Sequence, residues 1–183
     1  MAKLISKTYG DALFELALEE NAVDSLAEEV QMVLNVLEEN EELMKLLRHP
    51  KIVKEEKIKI IQDIFKGRVS DNLTGFLEII VDKDRYNEIP SIFRFFLDLV
   101  KEYKNIGVAY VTTAVELKDA QKEDLKKRLL ETTKYETFEM HYQTDASLIG
   151  GMVIRIGDRV VDSSIKSKLE EMSRNLMKIQ LKL

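Results

Sequence analysis

The chain has 183 residues, 45% of them hydrophobic and 33% charged, with a formal net charge of −5, seven Gly, two Pro and no Cys. That apolar content suffices for one core or two, and the lack of Cys excludes disulfides, thiolate metal sites and Cys nucleophiles. Residues 1–104 hold 15 Lys and Arg against 21 Asp and Glu, and residues 105–183 hold 13 against 12, so the acidic front half is a poor electrostatic match for nucleic acid.

Residues 3–19 place Leu4, Ile5, Tyr9, Ala12, Leu13, Leu16 and Ala17 at helical spacing, the pattern of an amphipathic helix. After turn candidates at Asn21 and Asp24, a second stripe runs through Val23, Leu26, Val30, Val33, Leu34 and Leu37. Leu43, Leu46 and Leu47 predict a short third helix that stops before Pro50. Ile58, Ile61, Ile64 and Phe65 mark a fourth, closed by Gly67 at the position past its C-cap. Ser70 is the expected N-cap of a fifth, with Leu73, Phe76, Leu77, Ile80 and Val81 on its apolar stripe. Lys83–Asn87 breaks that pattern, and a sixth begins near Pro90 with Ile92, Phe93, Phe96, Leu99, Val100 and Tyr103 facing inward.

The period changes at Asn105-Ile106-Gly107. Val108–Val115 is rich in β-branched residues and predicts a strand. Lys118–Thr133 returns to helix, with Leu125, Leu129 and Leu130 inward and Lys122, Lys126, Lys127 and Arg128 on a solvated side. Thr137–Thr144 alternates Phe138, Met140 and Tyr142 with Glu139, His141 and Gln143, a half-buried strand. Met152–Ile156, a Gly157-Asp158 turn and Arg159–Val161 predict a hairpin. A last helix carries Ile165, Leu169, Met172, Leu176 and Ile179 in alternating 4–3 steps, with Leu183 four further on. The predicted fold is α+β and mainly α: a six-helix bundle over residues 1–104, then a small β-α-β-β-α domain over 105–183.

Little in this pattern points to catalysis. His49 and His141 are the only histidines and fall in different halves. His49 is placed to meet helix-end carbonyls and His141 lies on the polar side of a strand. Gly150-Gly151 with Gly157 matches neither the G-x-G-x-x-G nor the Walker A spacing, and a strand follows the pair, so the glycines are assigned to the backbone. Carboxylate pairs such as Glu19-Glu20, Glu38-Glu39 and Glu170-Glu171 lie on exposed faces or helix ends, and the Lys122–Arg128 run lacks interleaved aromatics. No catalytic residue, metal ligand or cofactor site is expected. No apolar run approaches the ~18–20 residues of a membrane span, and the first residues lack a signal-peptide core. The chain is expected to be soluble, with any membrane association coming through partners.

Within Asp145–Met172, the run Ser147-Leu148-Ile149-Gly150-Gly151-Met152-Val153-Ile154-Arg155-Ile156-Gly157-Asp158, then Val160-Val161-Asp162 and Ile165…Leu169, resembles the C-terminal signature of the ATP synthase delta subunit family. That family includes the mitochondrial oligomycin-sensitivity-conferring protein. Tyr9-Gly10-Asp11-Ala12-Leu13-Phe14-Glu15-Leu16-Ala17 resembles its first helix, and Lys83–Pro90 its turn into the sixth. Gly10 stands where Ala is usual, a loss of up to ~1 kcal/mol in helix propensity. Ser163 stands where some members have Gly, and there a serine can cap the last helix.

The resemblance implies a non-enzymatic stator connector of F-type ATP synthase. The helical lobe would bind the N-terminus of an alpha subunit of the F1 head in a groove between the first and fifth helices. The C-terminal lobe would bind the b subunits of the peripheral stalk. Carried over to this chain, the groove candidates are Tyr9, Ala12 and Leu13, with Phe76, Leu77 and Ile80 opposite. The lack of a transit peptide implies a bacterial form, peripheral on the cytoplasmic face of the cell membrane. The alternative for a helical bundle of this size is an RNA-binding or transcription factor, against which the acidic front half speaks.

Overall fold

The computed structural model describes the backbone of residues 2–180 and the side chains of residues 4–40 and 42–177. The chain divides into two compact units, Met1–Lys101 and Glu102–Leu183. The whole is mainly helical with one small four-stranded mixed sheet.

The first unit contains α1 (Ala2–Glu19), α2 (Val23–Glu39), α3 (Glu41–Leu47), α4 (Lys54–Phe65), α5 (Asp71–Asp82) and α6, which begins in this unit and spans Ile89–Tyr103. Asn21 and Asp84 take positive φ of 52° and 54° in the turns after α1 and α5, and Gly67 does so at 77° just past α4, so the predicted helix breaks fall where the backbone reverses. Ser70 caps α5 by accepting the Leu73 N–H, and its own hydroxyl and N–H are held by Glu29 of α2. The stripes of all six helices meet in a single core that runs from Leu13 and Ala17 of α1 to Ile89, Ile92, Phe93 and Phe96 of α6.

Gly10 lies mid-helix, and its missing side chain is what lets α6 approach. A Cβ there would collide with the Phe95 ring. The mild helix weakening expected from Gly10 is thus offset by packing. His49 also differs from expectation: its Nδ1 accepts the Lys51 N–H at 3.3 Å and does not meet helix-end carbonyls.

In the second unit the strands are β1 (Ile106–Thr113), β2 (Thr137–Thr144), β3 (Met152–Ile156) and β4 (Arg159–Asp162), in spatial order β2-β1-β3-β4. β1 and β2 are parallel and joined by α7 (Asp119–Thr132), while β3 is antiparallel to both β1 and β4. β1 lies two residues earlier than its sequence pattern predicts. The turn at Asn105, with φ 53°, starts the strand at Ile106, and the Thr113 hydroxyl bonds the Val115 carbonyl to close it. Gly107 pairs with Phe138, whose ring fills the space a Cβ would need. Leu129 packs on Ala109 and Phe138 with Leu125, Leu130, Met140, Ile154 and Ile156 around them, so α7 covers one face of the sheet.

Gly157 takes φ 55° in the two-residue β3–β4 turn, the left-handed residue that a tight hairpin requires. Gly151 takes φ 75°, and a Cβ on it would strike the Ser163 carbonyl; one on Gly150 would strike Ile165. The last helix, α8, spans Ile165–Gln180. Its cap is Ser164 and not Ser163: Ser164 Oγ accepts the Ser167 N–H, while Ser163 bonds the Met152 carbonyl and extends the hairpin. The two positions at the end of its apolar stripe, Ile179 and Leu183, lie outside the described side chains.

Two outcomes test this packing. Gly10→Ala should lower stability by about 1–2 kcal/mol in urea unfolding, overpacking against Phe95 outweighing the propensity gain. Gly75→Ala, mid-α5 with nothing within 4 Å of an added Cβ, should raise stability by about 0.5–1 kcal/mol.

Asp162 supplies a pH dependence. It accepts the Ser167 hydroxyl and the Ser164 N–H, and these bonds hold its carboxyl below the ordinary aspartate range. A depressed folded pKa contributes stability above the unfolded value and loses it as pH falls through the folded one. Protection of the Ser164 amide, taken relative to its intrinsic exchange rate, should therefore hold at neutral pH and be lost only in acid below the ordinary aspartate range. Asp162→Asn should abolish that acid step.

Candidate partner-binding surfaces

The sequence-derived groove candidates divide by burial. Leu13, Leu77 and Ile80 are 0%, 1% and 0% exposed. They form core between α1 and α5 and offer no surface to a partner. Tyr9 and Phe76 are half-buried, and their rings meet edge to face at 6.1 Å, joining α1 to α5. Phe76 also stacks on Phe93 of α6 at 6.3 Å. Ala12 is exposed.

Two contacts bound the candidate groove between α1 and α5. At one end Asn72 of α5 donates to the carboxylate of Glu20, just past α1. At the other, the Arg85 guanidinium lies over the Tyr9 ring at 5.4 Å. Between them, Ile5, Tyr9, Ala12 and Leu16 share one side of α1, and Asn72, Phe76 and Ile79 one side of α5, by the three- and four-residue spacing of helix faces. Ile79 is 54% exposed although its neighbour Ile80 is fully buried. The sequence reading missed Ile79. Its available signal was an isoleucine standing off the buried stripe of α5. Gly75 widens the same side of α5.

The second unit is chemically different. On the sheet face opposite α7, Tyr110 stacks on His141 at 4.9 Å and carries the Arg155 guanidinium at 4.9 Å. His141 pairs with Glu139 at 2.8 Å. On α7, Lys122 lies over the Tyr142 ring at 5.5 Å and Arg128 pairs with Asp124 at 3.2 Å, so these two members of the basic run are engaged within the unit. A cavity of about 180 Å³ beside α7 is lined by Leu117, Gln121, Asp124, Leu125, Arg128 and Met152. Its charged pair is that same Asp124–Arg128 contact, and nothing in it is arranged for proton or group transfer. Among the described residues no three His, Asp or Glu are grouped to hold a metal.

Adjacent residues of α1 should respond oppositely to substitution. Leu13→Ala should cost about 2–5 kcal/mol in urea unfolding, as a core truncation does. Ala12→Asp, on an exposed position, should unfold within about 0.5 kcal/mol of the unaltered chain.

Comparison with known proteins bears on both units at once. The family model described as ATP synthase delta (OSCP) subunit matches residues 5–176. An ATP synthase subunit delta from Lachnoclostridium phytofermentans is 62% identical over 181 residues, covering 99% of this chain and 100% of its own. One from Desulforamulus reducens is 38% identical over 173 residues, with 94% and 95% covered. A chain in the cryo-EM structure of the Toxoplasma gondii mitochondrial ATP synthase hexamer shares the fold, with a TM-score of 0.74 over 94% of this chain and 97% of that one at 16% identity. The resemblance carried by the hairpin and first-helix motifs therefore extends along nearly the full length, and this chain belongs to the ATP synthase delta (OSCP) subunit family.

Proposed function

We propose that this chain, a non-catalytic subunit of F-type ATP synthase by its family, is the stator connector between the F1 head and the peripheral stalk. In this reading the helical unit, a six-helix bundle over residues 1–104, holds the N-terminal helix of an alpha subunit. The α+β domain over residues 105–183 holds the b subunits. Rotation of the central stalk drags on the head, and the connector resists that torque while ATP is made.

The observation that carries the proposal is the groove between α1 and α5. It has a buried floor of Leu13, Leu77 and Ile80, aromatic walls at Tyr9 and Phe76, and open apolar positions at Ala12 and Ile79. An amphipathic helix laid there would cover the last two and complete the burial of the rings. Tyr9, Ala12, Phe76 and Ile79 are the proposed contacts, with the three buried residues acting through the shape they give the floor. Among the described residues no helix is long and apolar enough to cross a membrane. The chain is proposed to reach the cytoplasmic face of the cell membrane through its partners. The RNA-binding alternative is set aside by the family assignment.

The test is titration of the full chain with a peptide copying the first ~20 residues of the complex's alpha subunit. NMR shifts should concentrate at Tyr9, Ala12, Phe76 and Ile79. Ala12→Asp should weaken binding by about 2 kcal/mol or more, since it sets a charge in an apolar contact, with the fold intact. A bound peptide that leaves Tyr9 and Ile79 unshifted would place the alpha site elsewhere.

A further inference from the structure

The helix α8 leaves its own domain after one turn. Ile165 rests on Gly150 and Ser164 is buried in the cap, yet every residue from Lys168 to Met177 is exposed. Those exposed residues are not uniformly polar. Ile165, Leu169, Met172 and Leu176 are 43%, 51%, 64% and 65% exposed. Their steps of four, three and four repeat every seven residues, the period of a seam that faces a second helix in a left-handed coil. A helix this short and so exposed is marginal in water, and an apolar seam left open from Leu169 to Leu176 is a surface for something else.

The flanks of the seam say what that partner carries. With Leu169 and Leu176 at one apolar position of the heptad and Ile165 and Met172 at the other, the bordering positions are Lys166, Lys168, Ser173 and Asn175. Two lysines and no acid border the seam. Glu170 and Glu171 fall on the outer side of the helix. Flanking positions choose coiled-coil partners by charge. A second copy of α8 would bring only Lys, Ser and Asn to those bordering positions, so self-pairing offers the lysines no acidic partner there.

We infer that α8 is a coiled-coil docking strip for one helix of the peripheral stalk whose apolar seam is bordered by Asp or Glu. This rests on the proposed function for the identity of the stalk and adds the mode and charge of its contact. Lys166 also lies near Asp145 and Asp162 and favours their ionised forms. Charge reversal is therefore placed at Lys168, and Lys166 is only neutralised.

The experiment measures binding of the full chain to three probes at low and moderate salt: the soluble part of the complex's b subunit, a designed heptad helix with Glu flanks, and its counterpart with Lys flanks. The Glu-flanked helix should bind at least about tenfold more tightly than the Lys-flanked one, with the difference shrinking as salt rises. Lys166→Gln with Lys168→Glu should erase that preference and weaken the b subunit about tenfold. Leu169→Asp and Met172→Asp should each weaken both the b subunit and the Glu-flanked helix about a hundredfold or more, with far-UV dichroism unchanged.

Equal binding of the two designed helices overturns the charge assignment. If the b subunit binds the unaltered chain and the two Asp variants alike, the seam is not its site, although the stalk reading stands. If the b subunit fails to bind even the unaltered chain, the stalk reading itself is overturned, and the designed helices alone decide whether α8 is a docking strip for an acidic helix.

Discussion

One face of α6 fixes the geometry of the helical unit. Ile89, Ile92, Phe93 and Phe96 are fully buried there, and the rings reach both helices that border the groove. Phe93 stacks on Phe76 of α5, Phe96 meets Phe14 of α1 edge to face at 6.4 Å, and Phe95 occupies the notch left by Gly10. The Ser6 and Ser91 hydroxyls meet at 2.8 Å in the same contact. Helices α1 and α5 are thus each held from behind by α6. Between themselves they share the Tyr9–Phe76 ring contact and the Asn72–Glu20 bond. The groove is what remains when two helices are anchored to a third and only partly closed against each other. A residue that shifted α6 would move both walls, because close-packed interiors transmit displacement.

The small unit uses the same device in a sheet. Gly107 gives way to the Phe138 ring as Gly10 gives way to Phe95, so in each unit an aromatic side chain sets a spacing that a glycine permits. With Ala109, Leu129 and Phe138 the only buried members of its core cluster among the described residues, this unit relies on strand pairing for its shape. Eight residues of β1 pair in register with all eight of β2. Gly150 and Gly151 then let the chain fold back closely enough for Ser163 to prolong the hairpin and for Ser164, one residue on, to open α8.

Most of this was legible in the sequence because burial and local period agree. The stripes of α2, α5 and α6 mark their inward faces, Ser70 and Gly67 mark ends, and the alternation in Thr137–Thr144 marks β2. The candidate groove was less legible for a physical reason. Apolar side chains facing a core and those facing a partner obey the same spacing, so Leu13 and Ala12 cannot be separated until the neighbouring helices are placed. The exposed Ile79 lay one residue from the stripe and was passed over for Ile80. The serine that caps α8 was displaced by one position for a similar reason. Ser163 and Ser164 have identical local chemistry, and only the pairing of the Ser163 N–H with the Met152 carbonyl decides between them.

The two surfaces differ in how an occupant would be selected. The groove offers shape: a floor, two rings and small residues at Ala12 and Gly75 that admit a helix at close range. The α8 strip offers a period and a charge, with lysines on a unit whose sequence is near neutral while the other is acidic. An adaptor of the proposed kind, holding two helices without exchanging them, would benefit from this contrast, since specificity is a difference of affinities and repulsion at the wrong site widens it. Holding α8 ready also lowers the cost of docking. Its first turn is satisfied by Asp162, Ser164 and Ser167. A helix whose first turn is already closed has less order to gain when its apolar face is covered, and more of the contact energy remains as affinity.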